Sequence, residues 1–183
     1  MQRRNTGLFF FKSLKILVAA AFLAAMSMVF GKFLAIPLGD VLRFSFENTP
    51  IILAGVIFGP LVGGAVGCVA DLVGCVAVGY TINPIVTIGA ALIGIISGLV
   101  MTVARKLSVP NNISYAAAVT LSHLIGSVIV KTVGLAAFYQ MSFELLLLWR
   151  LINYAAVGTM DGMILILLLK NKSVLHAINS IKR

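Results

Sequence analysis

The sequence predicts an all-α membrane protein: one domain of six transmembrane helices, with both termini on the cytoplasmic side. Three observations carry this. The 183 residues are 61% hydrophobic and only 10% charged, against about 25% charged in a soluble domain, so there is too little polar surface to coat a globule. The apolar runs reach the ~20 residues that a helix needs to cross ~30 Å of hydrocarbon. Ten of the fourteen Lys and Arg residues (Arg3, Arg4, Lys12, Lys15, Arg105, Lys106, Lys170, Lys172, Lys182, Arg183) flank those runs in short segments. The positive-inside rule reads them as cytoplasmic topology signals. An even number of crossings puts all three clusters on one side, where no Asp or Glu falls. This distribution explains the net charge of +9 without nucleic acid.

The first span runs over about 13–34. Its charged-then-apolar start resembles a signal peptide, but the apolar part is long enough to cross and more spans follow, so it reads as an uncleaved first helix. A loop with Pro37, Gly39, Asp40 and Arg43 follows. Gly59-Pro60 divides the next apolar block. Its first half, about 47–58, is too short to cross and must be tilted or shielded by neighbours; its second is about 60–78. The loop GYTINP leads to a span over about 84–104, the basic loop RKLSVPNN to one over about 113–138, and the turn YQMSF to the last, about 144–169. Gly55, Gly59, Gly63 and Gly67 recur every four residues, as do Gly94 and Gly98; this spacing reads as close helix packing within the chain. Cys68 and Cys75 share a helical face with no acid or His at ligand spacing, and read as reduced packing residues.

Ionisable residues inside a span are functional candidates. Lys131, Arg150 and Asp71 each lie about six or seven residues inside a span, roughly 10 Å below the non-cytoplasmic surface, with Arg43 in the loop above. Arg150, Asn153, Tyr154, Val157 and Asp161 form a helical stripe, as do Thr120, His123, Ser127 and Lys131. Such stripes must face protein or a wet cavity. Lys131 reads either as a ligand contact, as a buried partner of Asp71, or as a cation snorkelling outward. His123 reads as a hydrogen-bonded core residue, Asp161 as a helix-pairing residue, and Glu144 as a carboxylate at a helix N-terminus. The chain has no HExxH, GxSxG, Walker-type or Asp-rich motif, so nothing suggests an enzyme.

The run RFSFENTPIILAGVIFGPLVGGAVGCVADLVGC resembles the substrate-binding S components of energy-coupling-factor (ECF) vitamin transporters. Its R-F-x-F…P-I…G…F-G-P…G-G…G…A-D…G pattern is similar to the folate-type branch, as is NPIVTIGAALIGIISGLV; Lys131 and WRLINY are compatible. The resemblance covers most of 13–170 and is strongest over 43–98. It implies a multi-pass protein of a prokaryotic plasma membrane that binds a vitamin in the outer half of the bilayer. It further implies docking, through small residues here at Ala20, Ala21, Ala24 and Ala25, onto a transmembrane coupling protein served by two ATP-binding subunits. The chain itself would then carry no cofactor or metal, the ATP being used by its partners. For folate, Arg43, Lys131 and Arg150 would meet the carboxylates. Phe44, Phe46 and Tyr80 would stack on the rings, Asp71 would accept from the pterin edge or simply neutralise a cation, Asn83 and Asn153 would be orienting amides, and Tyr154 would complete the site. GYTINPIVT is less aromatic than is usual in folate-type members, which keeps another vitamin or small anion, such as pantothenate, as the alternative. An ion-coupled carrier or a lipid-modifying membrane enzyme are more distant readings, without a broken-helix repeat or acid clusters to support them.

Overall fold

The computed structural model describes residues 13–38 and 42–182, with the backbone alone at Leu38, Leu42 and Arg43. Arg3, Arg4, Lys12, Asp40 and Arg183 lie outside the described residues. Helix α1 (Leu14–Met28) continues as a π-helical turn, Val29–Phe33. A short antiparallel hairpin follows, β1 (Ile36–Leu38) and β2 (Leu42–Phe44), in which Pro37 faces Arg43. Then come α2 (Asn48–Phe58), α3 (Pro60–Val78), α4 (Pro84–Lys106) and α5 (Asn111–Ser122). A π-helical segment, His123–Val130, joins α5 to α6 (Lys131–Tyr139), and α7 (Phe143–Lys170) and α8 (Lys172–Lys182) complete the chain. Among the described residues, five helical stretches are long and apolar enough to cross a membrane: Leu14–Phe33, Pro60–Val78, Pro84–Lys106, Asn111–Tyr139 and Phe143–Lys170. The sixth apolar helix, α2, is short.

Helix α2 is shielded rather than tilted into lipid. All of its residues but Leu53 are buried, enclosed mainly by α1, α3 and α4. It stops at Gly59, whose φ of +98° requires glycine, and Pro60 begins α3. The Arg105 guanidinium donates to the Val56 carbonyl at 3.2 Å, supplying a partner to the open end of the helix. The glycine repeat brings α2, α3 and α4 into backbone contact. A Cβ on Gly63 would sit 2.6 Å from the Gly55 Cα, and one on Gly98 2.6 Å from the Pro60 Cα.

The stripe on α7 lies where its spacing predicts: Arg150, Val157 and Asp161 are buried, Asn153 and Tyr154 half-buried, and the flanking residues largely exposed. The α5 stripe needs a correction. His123, Ser127 and Lys131 are buried, but Thr120 is exposed. His123, Ser127 and Lys131 follow the π-helical segment, whereas Thr120 lies in the α-helix before it, three residues from His123 and therefore about 60° round the helix from it. The α1 docking stripe is also corrected. Ala20 and Ala24 belong to the hydrophobic core, and only Ala21 and Ala25 face outward, among Leu17, Val18 and Phe22. The reason is geometric: the two repeats are offset by one residue, or about 100° around a helix, so they cannot share a face.

Candidate ligand-binding cleft

The residues Glu47-Asn48-Thr49 at the head of α2 each reach a different partner. The Lys131 ammonium donates to the Glu47 carboxylate at 2.8 Å. The Asn48 amide donates to the Ser127 hydroxyl at 3.1 Å and meets the His123 Nδ1 at 3.4 Å. The Thr49 hydroxyl donates to the Asp161 carboxylate, whose other oxygen lies 2.8 Å from the His123 Nε2. A half-length helix, polar at its head and apolar along its body, thereby ties the π-helical segment and α7 to the bundle. Asp161 and His123 take the helix-pairing and core roles that the sequence suggests.

Beside this head, between α1, α3, the α3–α4 loop and α6, is a cleft of about 140 Å³ at the end of the bundle opposite the basic clusters. Lys32, Glu47, Asp71, Tyr80 and Asn83 line it. A second hollow of about 10 Å³ continues inward to Lys131. Glycines make room for the charged side chains. A Cβ on Gly74 would lie 2.9 Å from the Lys32 Cε, one on Gly31 2.6 Å from the Glu47 Oε2, and one on Gly89 2.7 Å from the Lys131 Cγ. The Thr87 hydroxyl donates to Asp71 at 2.7 Å. The Lys32 ammonium lies 5.7 Å from the centre of the Tyr80 ring and 4.0 Å from the Cys75 sulfur. Two cations and two carboxylates thus meet at one end of the bundle, beside an aromatic ring.

The structure brings together Asp71, Tyr80, Asn83 and Lys131 from the sequence expectations. The paired partner of Lys131 is Glu47 rather than Asp71, which corrects that reading: equal depth does not fix the direction in which a side chain points around its helix. Asn83 is largely taken up locally. Its oxygen caps α4 at the Ile85 and Val86 N–H groups, and its amide donates to the Gly134 carbonyl at 2.8 Å. Arg150 points elsewhere. Its guanidinium donates twice to the Ser127 carbonyl, at 3.1 and 2.8 Å, and lies 5.2 Å from the Tyr154 ring centre. Tyr154 lines a lateral groove between α5 and α7, and half-buried Asn153 lines neither hollow of the cleft. Phe44 and Phe46 stack edge to face at 5.6 Å, and Phe46 lines an apolar groove of about 490 Å³ between α1, α2 and α7. The Arg43 side chain lies outside the described residues. Sequence reasoning passed over Lys32 and gave Glu47 no partner. A signal existed for Lys32: it is one of only four cations outside the cytoplasmic clusters.

A family model described as the S component of an ECF-type riboflavin transporter matches residues 11–173. The chain belongs to this family. It is therefore a membrane-spanning transporter S component, of a family of transporter subunits rather than enzymes. The Folate transporter FolT of Clostridium novyi (strain NT) is 30% identical over 91 residues, which are 46% of this chain and 51% of FolT. An uncharacterized protein, the MG313 homolog of Mycoplasma pneumoniae, is 40% identical over 70 residues, 38% of this chain and 24% of that protein. The matched parts thus span about half and about a quarter of these two relatives. Among solved structures, the crystal structure of FolT bound with folic acid superposes with a TM-score of 0.66 at 25% identity, covering 83% of this chain and 90% of FolT. The S component for biotin from an ECF-type ABC transporter superposes at 0.62 with 17% identity, over 93% and 96% of the two chains. The S component of a bacterial ECF transporter does so at 0.59 with 19% identity, over 91% and 97%. These last two share the fold alone.

Proposed function

We propose that this S component binds folate, or a closely related vitamin bearing carboxylates, in the cleft between Lys32, Glu47, Asp71 and Tyr80. The observation that carries the reading is the gathering of two lysines and two carboxylates at one cleft. Riboflavin is uncharged at neutral pH and has no use for fixed cations. Folate has a glutamate tail with two carboxylates and a pterin edge rich in donors, and so uses both signs. Lys32 and Lys131, joined by Arg43 from the hairpin, meet the tail carboxylates. Asp71 accepts from the amino-pyrimidinone edge, and Tyr80 stacks on the ring. The likeness to FolT supports this choice over the riboflavin of the family description. The cleft, about 140 Å³, is smaller than the roughly 300 Å³ at which ligand pockets begin. Binding therefore requires the GYTINP loop, which gives Tyr80, Thr81 and Asn83 to the wall, to move outward.

Transport follows the family pattern in this reading. The outward face of α1 at Ala21 and Ala25 docks on a transmembrane coupling protein in a prokaryotic plasma membrane, where two partner ATPases supply the energy. Small residues there permit close helix approach. The experiment is a thermal-shift series on the purified protein with folic acid, riboflavin, biotin and pantothenate. At a hundredfold excess over Kd, a ligand specific to the folded state adds about 2.7 kcal/mol. Folic acid is expected to raise the unfolding midpoint most. A shift with riboflavin and none with folic acid would overturn the proposal.

A further inference from the structure

The Lys131 ammonium is buried, while the carboxylate that neutralises it reaches the cleft. The Lys131 side chain is 5% exposed and that of Glu47 24%. The two meet at 2.8 Å where the cleft joins its inner hollow. Glu47 lines both spaces, and Lys131 lines the inner one. The Glu47 carboxylate is thus the partition between the cleft and its deepest cation. The inner hollow, about 10 Å³, offers at most the space of a single water. A second carboxylate does not fit there beside Glu47.

Glu47 is the side that can yield. The Lys131 stem lies against Gly89, where a Cβ would come within 2.7 Å of its Cγ. The backbone of Glu47 is fixed: the Ser27 hydroxyl donates to its carbonyl at 2.6 Å, and Asn48 and Thr49 are tied to Ser127 and Asp161. Its carboxylate is at the end of three rotatable bonds. Rotation alone takes it off Lys131, towards Lys32, which also lines both spaces.

We propose that Glu47 is the specificity-determining residue of the cleft: its carboxylate stands on Lys131 where a ligand carboxylate binds, and the ligand enters by exchange with it. This rests on the reading that the cleft takes a vitamin bearing carboxylates. One carboxylate leaving as another arrives keeps the buried ammonium paired. A neutral ligand that pushes Glu47 aside leaves that ammonium bare, which is strongly unfavourable. Glu47 therefore rejects uncharged ligands, and it lowers the affinity of the anions that it admits.

The first test needs no vitamin. E47A removes the carboxylate and leaves room for a small anion at Lys131; acetate is the probe. Sodium acetate, compared with sodium chloride at equal concentration, should raise the thermal midpoint of E47A in detergent by several degrees and leave that of the wild type unchanged. E47A/K131M should show no such rescue. Should E47A not fold, E47D serves in its place: its carboxylate is one methylene short of Lys131, and acetate should raise its midpoint too. The second test is calorimetry with folic acid. It should bind E47A about tenfold more tightly than the wild type, because nothing has to be displaced. Its glutamate diamide should gain less than about threefold. Acetate acting no better than chloride on the Glu47 variants, rescue that survives K131M, or a diamide that gains as much as folic acid would each overturn the exchange. So would folic acid that binds the wild type and E47A equally. Acetate rescue without folic acid binding to either protein would remove the vitamin reading and support the exchange.

Discussion

Replacing either partner of the Glu47–Lys131 pair should destabilise the protein, and the two losses should be unequal. The charged atoms are 2.8 Å apart, and the side chains are 24% and 5% exposed for Glu47 and Lys131. At an effective dielectric constant of about 20, two unit charges at that separation attract by about 6 kcal/mol. Desolvation of both ions opposes this, so a net coupling of ~2–3 kcal/mol is expected. E47Q leaves an ammonium that is almost fully buried, its stem held against Gly89, and should cost about 3–5 kcal/mol. K131M leaves a carboxylate that still reaches the cleft and Lys32, and should cost only ~2–3 kcal/mol. E47Q/K131M should cost less than the sum of the two by about 2 kcal/mol. For a chain of this size each kcal/mol moves the midpoint by roughly 2–4 °C, so the cycle is readable by thermal unfolding in detergent. Losses that add within ~0.5 kcal/mol, or a K131M variant less stable than E47Q, would show that the pair is not coupled in this way.

Further variants probe the scaffold around the cleft. G98A would press a methyl group on the Pro60 backbone and should cost about 2–3 kcal/mol by thermal unfolding, since neither helix can yield alone. N83A removes the α4 cap and the bond to Gly134, and should lower stability by ~1–2 kcal/mol. R150K cannot reproduce the paired bonds to the Ser127 carbonyl; it should cost about 1–2 kcal/mol while changing folic acid affinity less than threefold by calorimetry. A stable R150K that binds folic acid poorly would restore Arg150 to the ligand.

How much of this was legible in the sequence depends on what spacing encodes. Along a regular helix, residue spacing fixes both depth and direction, and so the α7 stripe from Arg150 to Asp161 could be read in full. On α5 the same reasoning failed at Thr120, because no local signal in LSHLIGSVIVK announces a π-helical segment. Around the cleft, spacing gave depth alone. Asp71 and Lys131 were placed at one level correctly, yet Asp71 turns to Thr87 on α4 while Lys131 turns to the head of α2. That head was the hardest part to read. Glu47-Asn48-Thr49 resembles an ordinary polar helix start, and only the burial of α2 on every side turns three common residues into three inter-helix contacts. The same burial explains why Glu47 matters more than its position in a loop suggests. An exposed carboxylate beside a membrane would be worth little, whereas one wedged against Gly31 fixes Lys131 and closes the inner hollow of the cleft. A ligand carboxylate that reaches Lys131 must therefore compete with Glu47 for it. Among candidate ligands the cleft thus discriminates by charge before it discriminates by shape.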